Sequence, residues 1–305
     1  MKNKRNKTIS LSNPYLLFDA GGTLVFPDQS LMIGLAESEG VELTNRQLYK
    51  GYYQLIFELD KAWSQSPQDR SKQEQLLHPW PRGYAYALFE NIGLLNRRTC
   101  FVAERIEELH RLKNIWSFTF EWVRNTLSYL HFLGYRMSII SNSDGRTKGV
   151  FSDLGMDHYF DEIFDSHILG IAKPEPAIFE LVLKELNLQA SQALFIGDIF
   201  EVDVRGANSA GIGAIHIDPL RLYRNKPGVH LRDVRCLPDW LSRFARAPHT
   251  FDIQPFRSWK LCPNRITTTG FQVKGEISSE PFPDSRITQG VNTQIPATIL
   301  EALNI

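Results

Sequence analysis

Three short apolar runs in this chain stop abruptly at polar, turn-forming residues, and that recurrence constrains the fold most. Tyr15–Phe18 ends at Asp19-Ala20-Gly21-Gly22-Thr23, Tyr135–Ile140 at Ser141-Asn142-Ser143-Asp144-Gly145, and Ala193–Ile196 at Gly197-Asp198. Runs of this length, largely apolar and closed by Gly, Asn or Asp, predict buried strands. Two more candidates are Asp161–Phe164 and Gly213–Ile217. Helical stripes fall between them. One carries Trp122, Val123, Leu127 and Leu130 and closes at Gly134, a plausible C′ glycine. A short helix ends near Gly155, another carries Ile178, Val182, Leu183 and Leu186, and a last one runs from Val204 to Ala210. Strands alternating with helices predict right-handed βαβ units, and so an α/β fold with a doubly wound parallel sheet.

The alternation is interrupted once. Residues 30–115 read as helical without strand-like alternation. Thr44 and Gln47 fit a capping box ahead of Leu48, Tyr52, Leu55, Ile56, Leu59 and Trp63. The stretch from His78 to Gly83 breaks the pattern before a helix over Tyr84–Ile92, and a third helix carries Val102, Ile106, Leu109 and Leu112. The expected organisation is a polar arm over 1–13, an α/β core from 14–29 and 116–246, a helical insertion over 30–115, and a tail over 247–305. The tail has no sustained period and is expected to be disordered or loosely packed.

Composition excludes several classes. The chain has 305 residues, room for about two domains or one with a large insertion. Lys+Arg and Asp+Glu are both 34, so there is no basic excess of the kind nucleic-acid binders show. The balance is uneven: residues 1–7 carry four basic residues and no acid, and residues 8–247 sum to −4. No apolar run is long enough to span a membrane, and the basic N-terminus lacks the apolar stretch of a signal peptide. Cys100, Cys236 and Cys262 are far apart, and reduced thiols in a cytoplasmic protein are the expectation.

The polar groups at the strand ends carry the chemistry, because ligands bind at that edge of an open α/β sheet. Taken singly each is ordinary. Asp19 could be a turn residue, Lys173 in Ala172-Lys173-Pro174-Glu175-Pro176 a surface lysine, and Ser141-Asn142 turn formers. Asp198 and Asp203, five residues apart after a strand, could converge on one cation.

In order and together they resemble the haloacid dehalogenase-like hydrolase superfamily, over about 14–30 and 116–220. Motif one is similar to Leu17–Leu24, motif two to Ile139–Asp144, motif three to Lys173–Pro176, and motif four to Leu194–Asp198 through Asp203. The helical insertion is similar to the family's small helical cap. The resemblance implies that Asp19 attacks phosphorus and forms an aspartyl-phosphate. It implies Mg²⁺ held by Asp19, the Gly21 carbonyl, Asp198 and Asp203. Ser141, with Asn142 beside it, would bind the phosphoryl oxygens. Lys173 would neutralise the phosphate and keep Asp19 ionised. The partner would be a small-molecule substrate chosen by the cap.

The sequence departs from the family's phosphatases at position 21. Those enzymes carry a second Asp there as general acid and base, a role worth about 10²–10⁴ in rate; here the residue is Gly21. Three readings follow. One is a phosphatase whose leaving group needs little protonation, or which takes its proton from elsewhere, with Glu201 and Asp28 as candidates. Another is a 2-haloacid dehalogenase, whose motif also begins Asp-Ala, or a phosphonate hydrolase needing a cap lysine among Lys50, Lys61 and Lys72. The last is a binding protein without activity. Retention of Gly197, Asp198 and Asp203 favours phosphate over halide. Scattered His78, His110 and His131 read as structural or surface residues, and Trp63, Trp80, Trp116 and Trp122 as packing. Arg82 beside Trp80 is a candidate for the cleft.

Overall fold

The computed structural model describes residues 13–65 and 83–244. The arm over 1–12, the break at 78–82 with His78, Trp80 and Arg82, Lys72, and the tail from 245 onward lie outside the described residues.

Six parallel strands form one sheet in the order β3-β2-β1-β4-β5-β6. They are β1 (Tyr15–Phe18), β2 (Met137–Ser141), β3 (Ile163–Asp165), β4 (Ala193–Gly197), β5 (Gly213–Ile217) and β6 (Val229–Leu231). The first five are the strands the apolar runs predict, with ends shifted by one or two residues. The central pair shows why those runs are unbroken. In β1, Leu16 and Phe18 join one apolar cluster, and Tyr15 and Leu17 join the cluster on the opposite face. In β4, Leu194 and Ile196 face the first cluster while Ala193 and Phe195 face the second. Helices on both faces leave no side of these strands for water, so alternation with polar residues is absent. β6, three residues at the sheet edge beside β5, is the strand the sequence reading lacked.

Between β1 and β2 come α1 (Gln29–Ser38), α2 (Asn45–Gln65), α3 (Tyr84–Asn91), α4 (Arg97–Leu112) and α5 (Glu121–Phe132). Their starts are set by local chemistry. Asp28 caps α1 by accepting from Leu31 N–H at 3.0 Å. Thr44 and Gln47 form the expected capping box at α2: Gln47 N–H reaches Thr44 Oγ1 at 3.3 Å, and Thr44 N–H reaches Gln47 Oε1 at 3.0 Å. Asn96 and Thr99 cap α4 reciprocally. α5 closes at Gly134, whose φ of 79° suits glycine. Leu35, Leu88, Phe89, Val102 and Ile106 of this helical layer lie in the same apolar cluster as Leu16 and Phe18. The helices therefore pack onto the sheet's own core.

After β2 come α6 (Thr147–Asp153) and α7 (Pro176–Glu185), which has proline at its first turn. The predicted helix over Val204–Ala210 is α8 (Arg205–Ser209), preceded by a π-turn over Phe200–Val204. A helix the sequence reading lacked, α9 (Leu237–Phe244), follows β6. Cys100 is a free thiol, whereas Cys236 is disulfide-bonded, so the expectation of reduced thiols fails at Cys236.

Phe179 of α7 is fully buried and meets Phe195 edge-to-face at 5.4 Å. Phe179→Ala should cost about 3–5 kcal/mol of unfolding free energy in urea titrations. Phe132→Ala, at a ring 76% exposed, should change it by less than about 0.5 kcal/mol.

Candidate active site

Parallel strands bring their C-terminal ends to one edge, and the chain reverses direction across the sheet at β1. A crevice opens at such a switch point. Asp19 follows β1, Ser141 closes β2 and is buried, and Asp198 follows β4. Lys173 arrives from the loop ahead of α7. Its ammonium donates to Asp19 Oδ1 at 2.6 Å and to Asp203 Oδ1 at 2.7 Å, and the residue is 1% exposed. Asn142 fixes the lysine's backbone: its amide donates to Lys173 O, and its Oδ1 accepts from Lys173 N–H, both at 2.8 Å. The Asn142 side chain thus positions Lys173.

The charges do not balance within the protein. Asp19, Asp198 and Asp203 are all buried, with one carboxylate oxygen of each within 4.8 Å of the others. Lys173 is the ammonium set among them. Asp203 Oδ2 also accepts from Ile199 N–H at 2.9 Å. Asp198 Oδ2 accepts from the Tyr52 hydroxyl at 2.8 Å, while its Oδ1 is buried with no partner. Burial pushes the Asp19 carboxyl up to about 7; Lys173 pulls it down and Asp203 raises it further. Burial, then Asp19 and Asp203, hold Asp198 well above the ordinary carboxylate range. Burial would lower the Lys173 pKa, but the two carboxylates outweigh it and keep the ammonium protonated. An unpartnered buried carboxylate oxygen beside two more carboxylates is a donor set that fits a hard divalent cation such as Mg²⁺.

Two glycines shape the crevice. Gly22 has φ 72°, and a Cβ there would fall on Asp198 Oδ2 and the Tyr52 hydroxyl. A side chain at Gly21 would project toward Trp116, whose ring edge lies 3.3 Å from the position of a Cβ. Trp116 in turn meets Tyr52 at 5.6 Å and Tyr84 at 5.5 Å between ring centroids. A side chain at position 21 would therefore lie against this indole.

Several site residues escaped the sequence reading. Tyr52 reaches Asp198, and Tyr53 donates to the Gly22 carbonyl at 2.5 Å. Asp60 accepts from Phe200 N–H at 2.9 Å and Glu201 N–H at 3.0 Å, and from the Tyr223 hydroxyl. All three side chains come from α2. Tyr52 and Trp116 had read as packing residues, and nothing in their spacing distinguishes a ring that packs from one that also touches a site. The weighed proton donors are engaged elsewhere. Asp28 caps α1, and Glu201 pairs with Arg205 at 2.8 Å and Lys226 at 3.1 Å. Lys50 is exposed, Lys61 pairs with Glu58, His110 accepts from Ile115 N–H, and His131 lies against Tyr159.

A pH dependence follows from the raised Asp19 pKa. Between about pH 4, where an unfolded aspartate titrates, and about pH 7, the folded metal-free chain keeps a proton the unfolded chain has lost. Stability therefore falls as pH rises through that window. Thermal melts in EDTA should show the Asp19→Asn variant losing less stability between pH 5 and pH 8 than the wild type.

Comparison with known proteins agrees with this geometry. The family model described as haloacid dehalogenase-like hydrolase matches residues 15–211, well over half of the chain. A glyceraldehyde 3-phosphate phosphatase of Methanothermobacter thermautotrophicus is 35% identical over 97 residues, covering 31% of this chain and 42% of that protein. The human haloacid dehalogenase-like hydrolase domain-containing protein 3 is 30% identical over 102 residues, covering 32% and 41%. The chain thus spans about two fifths of the length of these relatives. The Bacillus subtilis HAD-hydrolase YfnB superposes with a TM-score of 0.50 at 20% identity, covering 76% of this chain and all of that one, a likeness of fold. The sheet, the order of the strand-end residues and the matched span agree: the chain belongs to the haloacid dehalogenase-like hydrolases.

Proposed function

We propose that the protein is a Mg²⁺-dependent phosphatase acting on a small phosphorylated metabolite through an aspartyl-phosphate on Asp19. The observation that carries the reading is the trio of buried carboxylates around one lysine, with Asp198 Oδ1 left without a partner. Asp19, Asp198, Asp203 and the Gly21 carbonyl would hold the cation. When bound, Mg²⁺ offsets the repulsion between the Asp19 carboxylate and a phosphate dianion.

The chain's own residues supply the rest. Lys173 orients Asp19 through their 2.6 Å contact and counters the burial that favours its protonated form. Its positive charge also meets the developing charge on the transferring phosphoryl group. Ser141, at the end of β2, would donate to a phosphoryl oxygen. The phosphorus–oxygen bond to the leaving group breaks as the bond to Asp19 Oδ forms, and water later releases phosphate from Asp19. The helical insertion over 30–115 would act as the cap, with Tyr52, Tyr84 and Trp116 walling the crevice and keeping water out. The phosphatase names of relatives support a phosphate ester or anhydride as the substrate class.

Gly21 sets the preference among leaving groups. With no carboxylic acid at position 21, acyl and aryl phosphates, which leave without protonation, should outrun alkyl phosphates by about 10²–10⁴ in kcat/KM. A panel of acetyl phosphate, p-nitrophenyl phosphate, 2-phosphoglycolate, glyceraldehyde 3-phosphate and 2-haloacids tests this, with Mg²⁺ or EDTA. Phosphate release that is lost in EDTA and in Asp19→Asn is expected. Halide release in EDTA would replace the reading with a dehalogenase, and silence on the whole panel with folded protein would remove the enzyme reading.

Restoring the missing acid needs room as well as charge. Gly21→Asp alone should leave alkyl-phosphate turnover unchanged, because a Cβ at position 21 stands 3.3 Å from the Trp116 ring edge and the ring crowds the new carboxylate. Combined with Trp116→Ala it should raise that turnover at least tenfold over Trp116→Ala alone.

A further inference from the structure

A second group of metal-type ligands lies two strands from β1 on the same sheet edge. His216 of β5 and His230 of β6 are register partners, and Asp218 follows β5. One ligand atom of each lies within 4.8 Å of the others, and all three residues are buried. Phe200 and Tyr223 enclose the group, with Tyr223 at 4.4 Å from the His216 ring and Phe200 stacked on His230 at 6.0 Å.

The hydrogen bonds decide the tautomers. His216 Nε2 lies 2.9 Å from the Asp198 carbonyl, and His230 Nε2 lies 3.1 Å from the Lys226 carbonyl. A carbonyl oxygen only accepts, so both Nε2 atoms carry hydrogen. In neutral rings that leaves both Nδ1 atoms as lone pairs, and these face each other at 3.0 Å. Two lone pairs at that distance repel unless a proton or a cation sits between them. Two nitrogens bonded to one tetrahedral Zn²⁺ at 2.0–2.1 Å stand about 3.3 Å apart, close to the separation here. Asp218 supplies an oxygen, its carboxylate steadied by Leu222 N–H at 2.9 Å and Tyr223 N–H at 3.0 Å. Both histidines donate their second nitrogen to a backbone carbonyl, the outer-shell arrangement that metal-ligating histidines use.

We propose that His216 Nδ1, His230 Nδ1 and Asp218 form a second metal site, for Zn²⁺ or a cation of similar borderline softness. The imidazole donors select against Mg²⁺, which takes oxygen ligands. The site joins β5 to β6 and acts on the neighbouring crevice through one contact, His216 Nε2–H to the Asp198 carbonyl. It does not depend on the phosphatase reading.

The test titrates Zn²⁺ into the full chain under saturating Mg²⁺, with calorimetry for stoichiometry and X-ray absorption at the zinc edge for ligand type. One equivalent bound, with scattering from two imidazoles, is the expected result. His230→Gln and Asp218→Asn should each weaken binding, the former by more than about 100-fold, beyond what outer-shell changes produce. No Zn²⁺ bound under Mg²⁺, an all-oxygen zinc environment, or unchanged affinity in both variants would overturn the site. If either variant fails to fold, the wild-type spectrum decides: two imidazoles support the site and their absence removes it.

Discussion

Lys173 sits at the centre of the molecule's electrostatics, its ammonium shared between Asp19 and Asp203 and excluded from water. Taking these charges out of solvent is costly, and only close pairing offsets the cost. Removing one partner of such a pair typically costs about 3–5 kcal/mol, because the remaining charge stays buried and unpaired. The contact draws three distant segments together: the turn after β1, the loop before α7, and the π-turn after β4. Asn142 extends the network to the end of β2 by clamping the lysine's backbone. One lysine still leaves an excess of carboxylate, a donor set that fits a divalent cation.

The helical layer is tied to that centre by polar contacts as well as by packing. Tyr52 holds Asp198, Tyr53 holds the Gly22 carbonyl, and Asp60 holds the two amides that open the π-turn. All three come from one helix, α2, so a shift of that helix would move the carboxylate of Asp198 and the turn that carries Asp203. Trp116 closes the same wall and fills the space beside Gly21. A side chain at position 21 would press on the Trp116 ring, whose edge lies 3.3 Å from where a Cβ would stand.

On the opposite flank, His216 links the crevice to β6. Its Nε2–H holds the Asp198 carbonyl while its other nitrogen meets His230. Asp198 is therefore approached from two sides, by a phenol from the helical layer and by an imidazole from the sheet. Its orientation is set by groups that belong to neither of the motifs around it.

The sequence by itself determined the first five strands and the strand-end residues Asp19, Ser141 and Asp198. Doubly buried strands leave unbroken apolar runs, and the chemistry sits where those runs stop. Lys173 and Asp203 were legible through motif order, and the capping box at Thr44 and the stop at Gly134 through local geometry. The tertiary structure alone decided what faces those residues. Tyr52, Tyr53 and Asp60 lie on a helix whose apolar stripe looks the same whether or not a hydroxyl or carboxylate reaches the sheet. Trp116 is 95 positions from Gly21 in the chain and meets it only because α1–α4 fold back over β1. His216 and His230 meet through the pairing of β6, the edge strand the sequence reading lacked. Contacts made by folding distant segments together have no local spacing to betray them, and in this protein those contacts surround the strand-end carboxylates.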